Sequence, residues 1–490
     1  MSSPVAKALA GHTVAYGLTT VLSRASAVVL LIVLPLLIRP ADYGVLGLIM
    51  AANAVCITAV PLEVTQTVAR FYPNASPHDQ AGYASSAWWF TLASLIATAA
   101  LVAVVAAPIA ARVFGDARYA VDVRIASVLV IVNGLFYFVQ NQLRWSFRIR
   151  DFAIVSLLFS AATLALGLLF TATLPDRLGG VLIGQAVGGV AAVGLGLWFL
   201  RDTLSMQIDT TKLREMLRVS VPLVPASLAL MVNLYAGRVI LSDLATLRDV
   251  GLFTYANQIA GLTSLVIIGF QGSLIPLVMS HHEHPDTPVV LARSFENFIV
   301  VAIAACLFIG LLAPEAIGWF GNPAYAPAAH HVLPLAFAAV LGQLYIFGLG
   351  FLIAKRTIWQ AGVAVTAAIL CIAANYLLIP MLGISGAVLA AVMTTAAYSI
   401  LWFTLSQRLY PIPVRWWRVV GLAVVAGGGG LVLNGGIHLP VWALAAKIGW
   451  VAAVPVAGAM LRLFAWRTLF AVLTGAGRRT RPAAPDLSAS

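Results

Sequence analysis

Arg24 sits near the middle of the run AYGLTTVLSRASAVVLLIVLPLLI and is its only charge. An arginine at the centre of a membrane helix costs ~2.5–3.5 kcal/mol on insertion scales, so a chain that keeps one is expected to give it an anionic or polar partner. Thr13, Tyr16, Thr20, Arg24 and Ala27 follow one helical face, which makes the polar side of that helix continuous. Arg238 lies roughly 7–8 Å from the end of a later run by helical rise. It can snorkel to the interface or line a cavity. Asn133, Tyr137, Gln140 or Asn141, and Arg144 recur at three- and four-residue spacing. Such a stripe is costly against lipid, so it faces protein or water. It either lines a polar path or bonds neighbouring helices. Asn257, Gly261, Ser264 and Gln271 repeat the pattern. Glu63, after Pro61, is placed either to accept a coupling proton or to pair with Arg70.

The elements that position these groups follow from composition. Of 490 residues, 61% are hydrophobic and 9% charged, against roughly 25% charged in an ordinary globular domain. The apolar surface must meet lipid, where backbone groups bond within helices or closed barrels. Runs of about 20 residues without strict alternation predict helices. Fourteen spans are predicted, at 12–38, 43–69, 84–110, 122–144, 152–173, 179–201, 216–242, 249–280, 292–313, 331–354, 358–380, 384–407, 416–434 and 441–466. Cys56, Cys306 and Cys371 all fall inside spans as small hydrophobes, and no disulfide framework or metal motif is visible. The first run is too long for a signal-peptide core and reads as a retained helix.

An even number of spans puts both termini on one side. Seven basic residues (Arg39, Arg112, Arg118, Arg124, Arg177, Arg248, Lys447) then fall on the far side and 20 on the terminus side, with Arg24 and Arg238 within spans completing the 29. This bias predicts cytoplasmic termini. It also explains the net charge of +12 without nucleic acid. The His281, His282, Glu283, His284 cluster reads as a solvated cytoplasmic loop. Trp416 and Trp417 beside Arg415 and Arg418 fit an interfacial belt.

The segment 202–215 divides six helices from six. Each half opens with a long helix and a short external turn, PADYGVLGL in the first and LRDVGLFTY in the second. A duplicated six-helix unit is predicted, as in many transporters: 1–201 and 216–410, followed by two extra helices within 411–467 and a disordered cytoplasmic tail, 468–490. In the sixth span, Gly180, Gly184 and Gly188 are spaced for close helix packing. Pro222 and Pro225 are expected to break the start of the seventh.

An ordered set of segments resembles a known family. LSRASAVVLLIVLPLLIRPADYGVLGL, LEVTQTVARFY, QNQLRWSFR, VPLVPASLALMVNLYAGRVILSDLATLRDVGLFTYANQIA and ANYLLIPMLGISGAVLA are similar to Wzx-type polysaccharide flippases of the multidrug/oligosaccharidyl-lipid/polysaccharide exporter superfamily. The resemblance implies an all-α polytopic fold, two six-helix lobes around a central cavity, often with two extra helices. It implies flipping of a polyprenyl-diphosphate-linked oligosaccharide from the inner to the outer leaflet by rocking of the lobes, with no cofactor. Such a protein would sit in the inner membrane and work beside the polymerase and glycosyltransferases of its pathway. Where these flippases often carry Asp-Arg in helix 7, this chain has Gly237-Arg238. Where many carry a basic residue after the helix 8 Tyr, it has Tyr255-Ala256-Asn257.

On that reading a diphosphate and several sugars must pass a hydrocarbon core roughly 30 Å thick. Guanidinium suits phosphate oxygens because it donates two parallel hydrogen bonds, so Arg24 and Arg238 are the candidate cations. Asn133, Tyr137, Gln140, Asn141, Asn257 and Gln271 are the candidate sugar contacts, with Glu63 for coupling. Rival functions are weighed on residues. No GxxxxGK[ST] loop exists, since the four lysines precede Ala, Leu, Arg and Ile. A glycosyltransferase or polymerase would need a sizeable extramembrane loop with acids, His or Arg, and none is present. Multidrug or cation efflux would favour acids within the spans, and a peptidoglycan-precursor flippase would share the lipid diphosphate.

Overall fold

A computed structural model of the chain describes residues 25–72, 75–267, 278, 284–354, 356–436 and 442–463. Arg24 and Gln271 lie outside the described residues, as do His281, His282 and Glu283. Among those described there are no strands, and thirteen helices are long and apolar enough to cross a membrane. A shorter apolar helix, α1 (Ala25–Leu37), precedes them. The fold is that of an all-α, multi-pass membrane protein.

The first half contains α2 (Pro40–Ala59), α3 (Val64–Phe71), α4 (Pro77–Val104), α5 (Ala106–Val113), α6 (Ala120–Trp145), α7 (Ile149–Thr173) and α8 (Arg177–Leu200). The predicted continuous helix 43–69 is interrupted. Pro61 cannot donate a backbone hydrogen bond, and Leu62 and Glu63 take left-handed φ values of 51° and 58° before α3 begins. The predicted start at 84 moves out to Pro77, because the Ser76 hydroxyl caps the helix by accepting the Asp79 amide at 3.2 Å. The glycine row packs as its spacing predicts. A Cβ at Gly180, Gly184 or Gly188 would fall 2.4–2.7 Å from the α7 backbone, so α8 lies directly on α7.

The linker is shorter than the sequence predicts. Asp209 accepts the Thr211 and Lys212 amides at 3.0 and 3.1 Å and starts α9 (Thr210–Ser220). The Lys212 amide holds the Asp209 carboxyl below its usual range. Lys212 also reaches Asp79 at 2.8 Å, and Tyr83 donates to Glu215 at 2.7 Å, so α9 is tied to the first half. At Pro222 and Pro225 the chain passes through a short 3₁₀ turn into α10 (Val224–Leu244).

The second half contains α10, α11 (Leu247–Ala260), α12 (Thr287–Phe320), α13 (Ala329–Leu341), α14 (Gly350–Ile353), α15 (Thr357–Leu382) and α16 (Ile384–Leu409). The predicted helix 331–354 unwinds after Leu341. There the α16 side chains compete for its backbone: Trp402 donates to the Gly348 carbonyl at 2.9 Å, and Ser406 accepts the Gly350 amide at 3.0 Å. Two last helices, α17 (Trp416–Gly436) and α18 (Trp442–Met460), pack on α12. Buried Glu296 of α12 takes a bidentate bond from Arg415, which raises the arginine's already high pKa. Near the other end of α12, Glu315 pairs with buried Lys447 at 2.6 Å. Glu296→Ala leaves Arg415 without its anion. Because the Arg415 side chain is 37% exposed and can be rehydrated, the expected loss is about 1.5–3 kcal/mol, the worth of a charge-assisted hydrogen bond, read as a lower unfolding midpoint in detergent.

Candidate inter-half transport site

The two halves meet where their first turns cross, at the end predicted to be external. Asp249 and Thr246 form a capping box that starts α11, with Thr246 accepting the Asp249 amide at 3.2 Å. Gly251 then lies against the opening of α2. A Cβ on Gly251 would fall 1.8 Å from the Pro40 carbonyl oxygen, and one on Gly44 would fall 2.2 Å from the Leu247 carbonyl oxygen. The contact is reciprocal. Gly44 and Gly251 hold the same place in the two similar turns, and each touches the carbonyl four residues before the other.

Aromatic side chains seal this crossing. Tyr43, Tyr255 and Tyr325 are buried and meet edge to face, with centroids 4.9–5.8 Å apart. Their hydroxyls link the halves further, Tyr43 donating to Gln258 at 2.7 Å and Tyr325 to the Ile38 carbonyl at 3.2 Å. Asn322 donates to the Pro35 carbonyl at 3.3 Å. Asp243, half exposed, lies 3.8 Å from Arg112 of the first half.

Below the tyrosines, Arg238 stands on α10 with its guanidinium 5.4 Å from the Tyr235 ring centroid and its Nε buried without a hydrogen-bond partner. Tyr235 and Val239 line two mainly apolar cavities between the halves. One, of about 420 Å³, reaches Asn53 and Cys56 of α2 and Ala126 and Val130 of α6. The other, of about 320 Å³, reaches Ile372 and Tyr376 of α15. Tyr235 thus presents an aromatic ring to both cavities, while Arg238, on the next turn of α10, is not among the residues that line either.

The other predicted residues are distributed as follows. Half-buried Asn133 donates to Asn53 of α2 at 3.3 Å. Gln66 of α3 donates to the Tyr137 hydroxyl. Gln140 turns to Ser156 of α7 at 3.0 Å. Asn141 is buried and its Nδ2 has no partner. The α6 stripe is thus engaged by three neighbouring helices. Asn257 is half-buried on α11 beside Gln258. Glu63 sits in the break before α3, and no Glu63–Arg70 ion pair occurs among the described residues; Arg70 lies 5.9 Å from the Phe71 ring centroid.

Sequence reasoning missed Tyr43, Asn53, Gln258 and Tyr325. The repeated turn was the available signal for Tyr43. Tyr325 lies in GNPAYAPA, which carries no periodicity.

Residues 9–282 match the family model described as polysaccharide biosynthesis protein. A search of curated proteins finds no match. Among solved structures, the chain is similar to a lipid II flippase MurJ in an inward closed conformation, with TM-score 0.70, 11% identity, and coverage of 94% of this chain and 99% of that one. It is also similar to an inward-facing multidrug resistance MATE family transporter of the MOP superfamily, with TM-score 0.62, 15% identity, and coverage of 76% and 90%.

Proposed function

Since the chain belongs to the polysaccharide biosynthesis protein family, we propose that it flips polyprenyl-diphosphate-linked oligosaccharide units across the inner membrane. Residues 1–201 and 216–410 would act as two lobes, with 411–467 riding on the second and both termini cytoplasmic. The reciprocal Gly44–Gly251 crossing carries this reading. It is a joint between equivalent turns, which suits two similar bodies that rock about it. It closes the end predicted to be external, which leaves the substrate to enter from the cytoplasmic leaflet.

The division of labour follows from chemistry. The prenyl tail can remain in lipid or lie along the apolar cavities beside Tyr235. The diphosphate needs guanidinium, from Arg238 and, on the sequence reading, Arg24. Asn133, Tyr137 and Asn257 are half-buried and can exchange bonds with sugar hydroxyls, while Tyr137 can stack on a pyranose ring. No reaction is asked of any residue, so the protein acts as a carrier rather than an enzyme. The polymerase and glycosyltransferases of the pathway are the expected partners.

The test is reconstitution of the full chain in vesicles with a fluorescent polyprenyl-diphosphate oligosaccharide, read by exposure to an impermeant quencher. Exchange between leaflets should depend on the protein. Arg24→Ala should stop it and Arg24→Lys should keep part, because a charge remains without the planar fork. Exchange of a peptidoglycan precursor or a cationic drug in place of the oligosaccharide lipid would overturn the assignment.

A further inference from the structure

A polar cavity of about 550 Å³ opens within the first half, separate from the two beside Tyr235. Its charged walls are Arg39 and Asp42 where α1 turns into α2, Arg118 and Asp122 where α6 begins, and Asp176 and Arg177 where α8 begins. Its volume is that of a small-molecule site. All three turns stand at the end predicted to be external, at headgroup depth in a bilayer.

These charges are unevenly committed. Arg118 pairs with Asp116 at 3.0 Å and donates to the Tyr119 hydroxyl at 2.6 Å. Tyr119 in turn donates to Asp42 at 3.0 Å, and Arg177 gives one donor to the Leu37 carbonyl at 2.6 Å. Asp122, Asp176 and Arg39 are left over. Asp122 is 4% exposed, and its Oδ1 has no hydrogen-bond partner. Asp176 is exposed, and although it stands just before α8 its side chain caps no amide of that helix. Arg39 is exposed and makes no ion pair among the described residues. A Cβ on Gly179 would fall 2.5 Å from Asp176 Oδ2 and 3.5 Å from Asp122 Oδ1. The two oxygens are therefore no farther apart than those two lengths laid end to end.

Carboxylates this close favour a donor or a cation between them. One ammonium, donating at ~2.7–3.2 Å to each oxygen, spans the gap. Among the described residues no three carboxylate, His or Cys side chains are grouped to hold a metal ion, so an organic ammonium suits the site better than a metal. Arg39 offers the planar fork that matches a phosphate, and Arg177 keeps further donors for the same group. We propose that this cavity binds the phosphoethanolamine headgroup of an outer-leaflet lipid, with its ammonium between Asp122 and Asp176 and its phosphate on Arg39. The rim favours a lipid over a free zwitterion. Leu36 and Leu174, each one residue from a residue that lines the cavity, are exposed and give acyl chains an apolar surface to follow. The headgroup sits behind the turn whose Pro40 carbonyl packs on Gly251 and whose Ile38 carbonyl receives the Tyr325 hydroxyl. It thus backs the joint between the halves from the side of the first half.

The site does not depend on which substrate is carried, so its test uses none. The purified full chain, stripped of lipid in detergent, is given dioleoyl phosphatidylethanolamine, the phosphatidylcholine or phosphatidylglycerol with the same chains, or soluble phosphoethanolamine. Native mass spectrometry reads the ligand retained, and thermal melting reads the unfolding midpoint. The ethanolamine lipid should bind about 10- to 100-fold tighter than the choline lipid, whose nitrogen has no hydrogen to donate, the worth of one charge-assisted bond. It should also raise the midpoint most. Asp176→Asn should lower ethanolamine-lipid binding about 10-fold, since a neutral acceptor replaces a charged one, and Arg39→Ala should weaken the ethanolamine and choline lipids alike. Both residues are exposed, so each variant should melt as the parent does without lipid, and either decides alone if the other does not fold. Equal retention of ethanolamine and choline lipids would overturn the proposal, as would ethanolamine-lipid binding unchanged in the folded variants. Equally tight glycerol lipid would mean charge attraction alone, equally tight soluble phosphoethanolamine a site for a free zwitterion, and a midpoint raised by sodium alone a metal site. Each of these also sinks the lipid assignment.

Discussion

Gly251→Ala is expected to force the two halves apart at their joined end and to stop transport. The added Cβ would lie 1.8 Å from the Pro40 carbonyl oxygen, a backbone atom that cannot rotate away as a side chain does. Overpacking costs about 1–3 kcal/mol where the surroundings yield, which lowers the closed population roughly 5- to 150-fold. Gly44→Ala, whose Cβ would sit 2.2 Å from the Leu247 carbonyl oxygen, should act in the same direction. Gly194, with nothing within 4 Å of a built Cβ, is the control, and its alanine variant should behave as the parent. Label distances between positions 112 and 243 read the closure, and leaflet exchange of the lipid-linked oligosaccharide reads the transport. A Gly251→Ala protein that closes and transports normally would mean that the joint does not have to form.

Arg238→Ala is expected to slow exchange of the oligosaccharide lipid about 10- to 100-fold, the loss of one charge-assisted hydrogen-bond partner of the diphosphate. Insertion and label distance without substrate should stay as in the parent, because Arg238 Nε has no protein partner to lose. Arg238→Lys should recover part of the rate. An Arg238→Ala protein whose halves separate without substrate would place the residue among the struts of the joint, through its stacking on Tyr235.

Much of the fold was legible because lipid imposes length and polarity on every span. The two similar turns were visible as PADYGVLGL and LRDVGLFTY, and the glycine row of α8 announced its packing on α7. What was not legible was which faces meet. The α6 stripe reads as one polar face, yet α2, α3 and α7 each supply it with a partner through Asn53, Gln66 and Ser156. Local pattern reports that a polar group needs company, while the identity of the company is set by helices far away in sequence. Tyr325 is the plainest case, since its ring joins Tyr43 from 282 positions away and no periodicity surrounds it. The break at Leu62–Glu63 was hidden for a different reason, since Pro61 permits an interruption without dictating its backbone angles.

Two ion pairs on α12 have a mechanical consequence. Glu296 and Glu315 stand about 28 Å apart along the helix axis by helical rise, close to the thickness of the hydrocarbon core. Each takes a cation from the last two helices, Arg415 at one end and Lys447 at the other. A hairpin pinned at both ends of one strut cannot pivot on it and must turn with whatever turns α12. It is a lever arm on the outside of the machine. An antibody fragment or dye attached there would report any turning of α12.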